Sequence, residues 1–366
     1  MLFSMTTRSN FMFYPKKSNF ILKNRVVLAP LTRSRATQDH NPTPIMAKYY
    51  AQRAEAGLLI SEGTSPSLNG VGYPRIPGIY NEKQIEGWKS VTEAVHAKGS
   101  KIFMQLMHTG RVSHPDNMPE GAKVLAPSAI APSTTKMYVD GKGELDIPTP
   151  TEMSEADVND VIQEYVSAAE NALKAGFDGV EIHGANGYLL EQFINSGSNI
   201  RNDKFGGTIE NRCRIVLEIA TKTIKAIGAE KVGIRLSPNG AMNDIEPFDE
   251  QEDTFKYLAN ELNKLNLQYV HLVNHESLGA PALPEIIRNY YRENFGGNLI
   301  LSGGYDNNST EEALVNNLGD LVGFGRPFIS NPDLITRWKK GAELAEPNFN
   351  TFYTPGPEGY IDYPTI

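Results

Sequence analysis

Eight short apolar segments alternate with amphipathic helical segments along almost the whole chain, and this alternation restricts the possible folds most strongly. Short apolar strands that alternate with helices favour parallel βαβ units. Eight such units predict a single (β/α)8 barrel of the TIM type, an α/β fold whose active site lies at the carboxyl ends of the strands. The strands are predicted at 25–31, 58–63, 101–107, 179–183, 232–236, 269–273, 299–304 and 321–326.

Helices are predicted between these strands, and one long segment interrupts the series. Residues 108–150 are rich in Pro, Gly, Ser and Thr, so we expect an inserted loop or hairpin after strand 3. Residues 1–18 are expected to be an N-terminal extension, with the barrel at 19–366. An open, doubly wound sheet is the alternative fold, but no G-x-G-x-x-G follows an early strand. The helices are predicted at 44–57, 81–99, 154–176, 209–227, 249–265, 284–295, 309–317 and 332–340.

Composition excludes several classes of protein. The formal net charge is −8 at pH 7, so the chain lacks the basic footprint of a nucleic-acid-binding or membrane-surface protein. No apolar stretch approaches the roughly 20 residues that a membrane helix needs. Cys213 is the only cysteine, which rules out an internal disulfide and argues against a cysteine-based zinc site. A single cysteine fits a reducing compartment, so we expect a cytoplasmic protein.

Alternation along the strands places polar side chains inside the predicted barrel. Because successive side chains point to opposite faces of a strand, Glu181 and His183 share the face opposite Val180 and Ile182. By the same argument Gln105 shares a face with Phe103 and Met107, and His271 lies opposite Val270 and Leu272. One face of each strand can pack against helices, while the other carries polar groups toward the barrel mouth.

Arg235 is the sharpest case of a polar residue on a barrel strand. A guanidinium remains charged at ordinary pH, and its burial costs several kcal/mol unless an anion meets it. A salt bridge to an internal carboxylate such as Glu181 is one interpretation. The other is a fixed cation that meets an anionic ligand.

Two glycine-bearing loops follow the last two predicted strands. Gly303 and Gly304 follow strand 7, and Gly325 with Arg326 follows strand 8. In this fold, these two loops commonly bind phosphate, because glycine lets backbone N–H groups approach an anion closely. Arg326 can add a charge-assisted contact. The sequence therefore predicts a phosphorylated ligand.

The chain resembles the Old Yellow Enzyme family of flavin-dependent ene-reductases from about residue 19 to its end. The most specific stretches are "HGANGYLLEQF" (183–193) and "RNDKFGGTIENR" (201–212). Four further stretches match: "LKNRVVLAPLTRSRA" (22–36), "QLMHTGRVSHP" (105–115), "GFGRPFISNPDL" (323–334) and "FYTPGPEGYIDYP" (352–364).

The resemblance implies a barrel that binds FMN non-covalently, is reduced by NADPH and delivers hydride to the activated C=C bond of an α,β-unsaturated carbonyl compound. It implies that His183 and Asn186 bind the substrate oxygen, that Tyr188 supplies a proton, and that Tyr73 and Tyr353 flank the substrate cavity. It implies a flavin site formed by Pro30, Leu31, Thr32, Gly63, Gln105, Arg235, Gly303, Gly304, Gly325 and Arg326.

Two departures from the family pattern have consequences. Met107 stands where many relatives have Trp, which predicts a wider and softer pocket. Asn186 stands where relatives have Asn or His, and since Asn cannot titrate, substrate binding should depend less on pH.

Three alternatives stay open at the level of sequence. A flavin-binding barrel without turnover is one. A barrel aldolase or epimerase is another, but Lys101 opens its strand at the wrong end of the barrel for a Schiff base. His108 and His114 could suggest a metal site, although no partnered carboxylate accompanies them, so we predict no metal. The chain is expected to be a monomer or a homodimer.

Overall fold

The structure is a computed structural model that describes residues 11–16 and 20–366. Within these residues, eight parallel strands close into a barrel in which each strand pairs with its neighbours along the chain and β1 pairs with β8. The predicted (β/α)8 barrel is therefore confirmed. The strands are β1 Val26–Leu28, β2 Leu58–Ile60, β3 Lys101–Leu106, β4 Gly179–Gly184, β5 Val232–Leu236, β6 Tyr269–Val273, β7 Asn298–Ser302 and β8 Leu321–Phe324.

Helices surround the barrel and cover the apolar faces of its strands. None of the helices in the described ranges is long and apolar enough to cross a bilayer. The helices are α1 Pro44–Gln52, α2 Glu82–His96, α3 Glu155–Lys174, α4 Leu189–Ile194, α5 Ile209–Ile227, α6 Gln251–Lys264, α7 Glu285–Asn294, α8 Asn307–Val315, α9 Arg326–Ser330 and α10 Leu334–Lys340.

The predicted elements match the structure best where one periodicity runs uninterrupted. The bounds of β5, β6 and α5 agree with the prediction. The predicted strands 25–31, 58–63, 299–304 and 321–326 and the predicted helix 44–57 run past the observed ends. After β7, Gly303 and Gly304 have φ of +94° and +80°, a conformation that ends a strand. The short helices α4 and α9 are missed, because one or two turns carry too little periodicity to be recognised.

The segment between β3 and α3 contains the predicted hairpin. Strands Lys136–Val139 and Gly143–Asp146 pair antiparallel, while Leu125–Ala126 pairs with Thr151–Glu152. Met137 on the hairpin is buried in an apolar cluster against which Tyr73 and Tyr188 pack. The insertion therefore covers one side of the barrel mouth with apolar side chains.

Large apolar side chains close the amino-terminal end of the barrel. Phe20 and Leu22 pack with Phe103, Tyr269 and other early strand residues. The predicted extension at 1–18 lies partly outside the described residues, because 1–10 and 17–19 are not among them. The remaining residues pack on the body of the protein, since the N–H groups of Phe11 and Met12 donate to Glu311.

Candidate active site

A hydrogen-bonded layer of polar side chains crosses the barrel interior below its mouth. Gln105 Nε2 donates to Glu181 Oε1 at 2.8 Å, and Glu181 Oε2 lies 2.9 Å from His271 Nδ1. His271 Nε2 in turn lies 2.8 Å from Ser302 Oγ. These residues come from β3, β4, β6 and β7, and their inward positions confirm the predicted alternation. The layer forms the floor of the mouth and commits Glu181 to partners other than Arg235.

Arg235 lies in the mouth without an anionic partner. It pairs with His183 in the register of β4 and β5, and it is 7% exposed. Within residues 11–16 and 20–366, Arg235 has no ion pair and its buried Nε has no hydrogen-bond partner. Burial lowers the pKa of the guanidinium, and the negative charge of Glu181 opposes that shift. The direct salt bridge to Glu181 does not form, so the cation remains available to a ligand.

His183 is a neutral hydrogen-bond donor at the end of β4. Its Nδ1 accepts the N–H of Ala185 at 3.3 Å, which leaves the ring proton on Nε2. Burial, and then the positive charge of Arg235, hold the pKa of His183 well below its ordinary value. His183 Nε2 has no hydrogen bond within the part of the chain that the structure describes. It can therefore donate to an acceptor in the mouth.

Asn186 follows in the loop after β4, with its backbone in the left-handed region at φ +61°. Asn243, in the loop after β5, donates to the Asn186 carbonyl at 2.7 Å. The side-chain Oδ1 of Asn186 is buried without a partner among the described residues. Sequence reasoning missed Asn243, because no periodic pattern marks a residue whose contact crosses between two loops.

Tyr188 lies beside His183 and is bonded to a second tyrosine. The rings of His183 and Tyr188 meet edge to face at 5.2 Å between centroids, and the hydroxyls of Tyr188 and Tyr73 are 3.0 Å apart. Burial is the main cause that raises the pKa of Tyr188 above its ordinary value, and it raises the pKa of Tyr73 well above that value. Both phenols therefore carry their protons at neutral pH, and Tyr188 lies directly against His183.

The two glycine-bearing loops form an open cradle at the ends of β7 and β8. A side chain at Gly303 would collide with the carbonyl oxygen of Asn274, whereas Gly304 faces open space. The N–H groups of Gly303, Gly304 and Gly325 make no hydrogen bonds to any described residue. Arg326 is exposed and likewise has no ion pair there. This donor set is suited to a dianionic phosphate.

The remaining predicted flavin residues lie in the loops after β1 and β2. Leu31 approaches Gly325, and Thr32 is half-buried. Pro30 and Gly63 are buried. The side chain of Met107 lies directly over Gly63, where an added Cβ would be 2.5 Å from its sulfur. The wider pocket predicted from Met107 stays a prediction.

The C-terminal segment reaches the mouth and is held by buried arginines. Arg33 donates to the carbonyls of Phe352 and Gly359, while Arg35 donates to those of Thr351 and Phe352. The segment carries Tyr353, which is 60% exposed. The predicted contact of Tyr353 with substrate is therefore at the rim rather than in the buried part of the site.

No group of three or more His, Cys, Asp or Glu residues in the described ranges could hold a metal ion. His108 is buried, and its Nδ1 accepts the N–H of Gly110 at 3.1 Å. His114 is half-buried, and its Nδ1 lies 3.6 Å from Asp116 Oδ2, so the expectation that no carboxylate accompanies these histidines is wrong for His114. The two histidines therefore do not form a common site.

Comparisons with known proteins agree with this geometry. Residues 12–345 match the model of the NADH:flavin oxidoreductase / NADH oxidase family. A Leishmania infantum protein named "Probable flavin mononucleotide-dependent alkene reductase" is 39% identical, with 94% of each chain covered.

Two solved structures are similar over nearly the whole chain. Morphinone reductase in complex with tetrahydroNAD is 42% identical, with 97% of each chain covered and a TM-score of 0.92. The Old Yellow Enzyme homologue from Zymomonas mobilis is 38% identical, with 97% of this chain and 99% of that chain covered, also at 0.92. The chain belongs to the NADH:flavin oxidoreductase / NADH oxidase family and is an FMN-dependent oxidoreductase of the Old Yellow Enzyme type.

Proposed function

We propose that the protein reduces the activated C=C bond of α,β-unsaturated carbonyl compounds, with a reduced nicotinamide as the source of hydride. The observation that carries this proposal is the arrangement of His183, Asn186 and Tyr188 beside the unpaired Arg235. Two hydrogen-bond donors for the carbonyl oxygen and one protonated phenol that can supply a proton fit the addition of hydride and a proton across the C=C bond of an enone. The named alkene reductase and the tetrahydroNAD complex of relatives support the same chemistry.

The residues at the mouth fit FMN. The orphaned Nε of Arg235 calls for an acceptor, and its positive charge would stabilise the negative charge that a flavin gains on reduction. The free N–H groups of Gly303, Gly304 and Gly325, together with Arg326, would bind the phosphate. Because Gln105 already donates to Glu181, we expect its Oε1 to act as an acceptor for the flavin ring. Pro30, Leu31, Thr32 and Gly63 would surround the ring.

FMN, when bound, supplies the hydride chemistry, since it accepts two electrons from a nicotinamide and passes a hydride to the β-carbon of the alkene. His183 Nε2 and the Asn186 amide donate to the carbonyl oxygen as negative charge develops on it. Tyr188 donates its hydroxyl proton to the α-carbon. The apolar cover that includes Met137 keeps water away from these donors.

The proposal is tested with purified protein, NADPH and 2-cyclohexen-1-one under anaerobic conditions. We expect a yellow protein that bleaches with NADPH and regains colour when the enone is added, with cyclohexanone as product. Replacing both His183 and Asn186 by Ala should raise KM and lower kcat/KM by about 100-fold, since each lost donor costs about 1.4 kcal/mol or more. A flavin that bleaches but is not reoxidised by any enone would favour a binding protein without turnover.

Arg326→Ala should weaken FMN binding by roughly 10- to 100-fold, because a hydrogen bond to a charged group contributes about 1.5–3 kcal/mol. Riboflavin lacks the phosphate, so its affinity for the apoprotein should change less than about twofold. Both affinities can be measured by quenching of flavin fluorescence. Lys225→Ala, on the exposed last turn of α5, controls for the change in net charge. Equal losses for FMN and riboflavin would contradict phosphate binding by Arg326.

Three finer points stay predictions: preference for NADPH over NADH, a cytoplasmic location, and a monomeric or homodimeric state. The substrate cavity is proposed to extend from His183 and Asn186 toward Tyr73 and Tyr353. Steady-state kinetics with both nicotinamides tests the nicotinamide preference, cell fractionation tests the location, and light scattering tests the oligomeric state.

A further inference from the structure

We propose that Glu191 is a positioning residue that, directly and through Ser237, holds the loop carrying Asn186 so that its amide meets the substrate oxygen. The inference rests on the proposed function, in which Asn186 is a donor to that oxygen. Glu191 lies on α4, one turn beyond the loop, and its carboxyl touches neither His183 nor Tyr188. It would act through Asn186 alone.

The loop after β4 has a conformation that needs external support. Asn186 and Gly187 have consecutive left-handed φ values of +61° and +74°. Such a conformation costs a non-glycine residue of order 1 kcal/mol, so an Asn persists there only when its surroundings hold it. Asn243 holds the Asn186 carbonyl at 2.7 Å. The backbone N–H groups of Asn186 and Gly187 also need hydrogen-bond acceptors.

Both N–H groups lead to the one carboxyl of Glu191. The Gly187 N–H donates to Glu191 Oε2 at 2.6 Å. The Asn186 N–H donates to Ser237 Oγ at 2.9 Å, and Ser237 Oγ lies 2.7 Å from Glu191 Oε1. Ser237 follows β5, so this relay joins the loop after β4 to the strand that carries Arg235.

For a purely structural support, a buried carboxyl costs more free energy than a neutral side chain would. Glu191 is 3% exposed and has no ion pair with any residue in the described ranges. The groups that face it are Ser237 from the end of β5, Gly187 from its own loop, and the uncharged Gln251 and Phe255 from α6 across a cavity of about 10 Å³. Glu246, the one other charged residue on this cavity, is exposed. Burial raises the pKa of Glu191 to about 8.

Both carboxyl oxygens of Glu191 accept a hydrogen bond, one from the Gly187 N–H and one from Ser237 Oγ. Gln can keep both contacts, because its carbonyl oxygen can accept from Gly187 and its amide N–H can donate to Ser237 Oγ once that hydroxyl turns its own proton away. Met preserves the shape but removes both hydrogen bonds. Glu191→Gln should therefore keep the relay, whereas Glu191→Met should release Asn186. The comparison separates a hydrogen-bonding role from packing.

The test is a double-mutant cycle in the FMN-loaded enzyme, read out as kcat/KM for 2-cyclohexen-1-one and as the dissociation constant of 4-chlorophenolate. This phenolate mimics the negative oxygen of the reduced enone, and its binding can be followed through flavin absorption. We expect Glu191→Met to lower kcat/KM and to raise the dissociation constant of the phenolate, each by about 10-fold. Glu191→Gln should change each quantity by less than about threefold. In the Asn186→Ala variant, Glu191→Met should change either quantity by less than about a further twofold, since the effects of residues that act through one another are not additive.

The outcomes are distinct. If Asn186→Ala weakens both readouts but Glu191→Met is silent or fully additive, the positioning role is wrong while the proposed function stands. If Asn186→Ala changes neither readout, the proposed role of Asn186 fails first, and the inference with it. Should Glu191→Met not fold, Ser237→Ala breaks the same relay and must show the same non-additivity. Glu164→Met, which removes a carboxyl from α3 whose pKa is also raised by burial, is the matched control and should leave both readouts unchanged.

Discussion

Replacing Tyr188 by Phe should lower kcat for enone reduction by about 100-fold or more, because a positioned general acid contributes roughly 10²–10⁴ to a rate. The substitution removes one hydroxyl and leaves the ring packed against His183. Reduction of the flavin by NADPH needs no proton from Tyr188, so that half-reaction should keep its rate within about twofold. Stopped-flow absorbance measures the two half-reactions separately.

Tyr73→Phe is the matched control for this prediction. It removes the other hydroxyl of the same 3.0 Å pair but leaves Tyr188 as an acid, so we expect a loss below about 10-fold. Burial raises the pKa of Tyr188 above its ordinary value of 10.0, so its acid form persists over the whole neutral range. The rate of the proton-dependent step should therefore not fall between pH 6 and pH 9 through loss of this proton. A Tyr188→Phe enzyme with an unchanged alkene rate would reject the proton-donor role.

Replacing Arg235 by Met should have the second large effect, a loss of FMN affinity of about 100-fold or more. Met follows the aliphatic part of the arginine and removes the charge and all five donors. A hydrogen bond to a charged group contributes about 1.5–3 kcal/mol, and Arg235 has more than one N–H available to the flavin. Because the cation would also stabilise the reduced flavin, the reduction potential of the flavin that remains bound should fall. Fluorescence titration and redox titration measure the two effects.

The sequence predicted which strand side chains face the barrel interior, because the alternation of side chains along a strand depends only on neighbouring residues. The interior positions of Gln105, Glu181, His183 and Arg235 follow from parity alone, and the structure confirms them. The choice of partners could not be predicted in the same way. Whether Glu181 bonds Arg235 or His271 depends on how strands meet around the barrel, and no periodicity encodes that register.

Long-range contacts account for most of what sequence reasoning missed. Arg33 and Arg35 hold the C-terminal segment across more than 300 residues of chain. Asn243 reaches Asn186 from a different loop. Glu191 lies inside the most specific stretch, "HGANGYLLEQF", yet its partner Ser237 is 46 residues away. Such pairs have chemistry that a sequence suggests but separations that only a fold reveals.

The central claim is that Arg235 is kept unpaired inside the protein for a flavin ring that gains negative charge on reduction. It is tested most directly by thermal unfolding of the wild type and the Arg235→Met variant, each with and without FMN. A buried unpaired cation destabilises the ligand-free protein, so the apo variant should melt about 2 °C or more above the apo wild type, and FMN should reverse that order. An apo variant that melts below the apo wild type would mean that the protein already satisfies Arg235, and would contradict the claim.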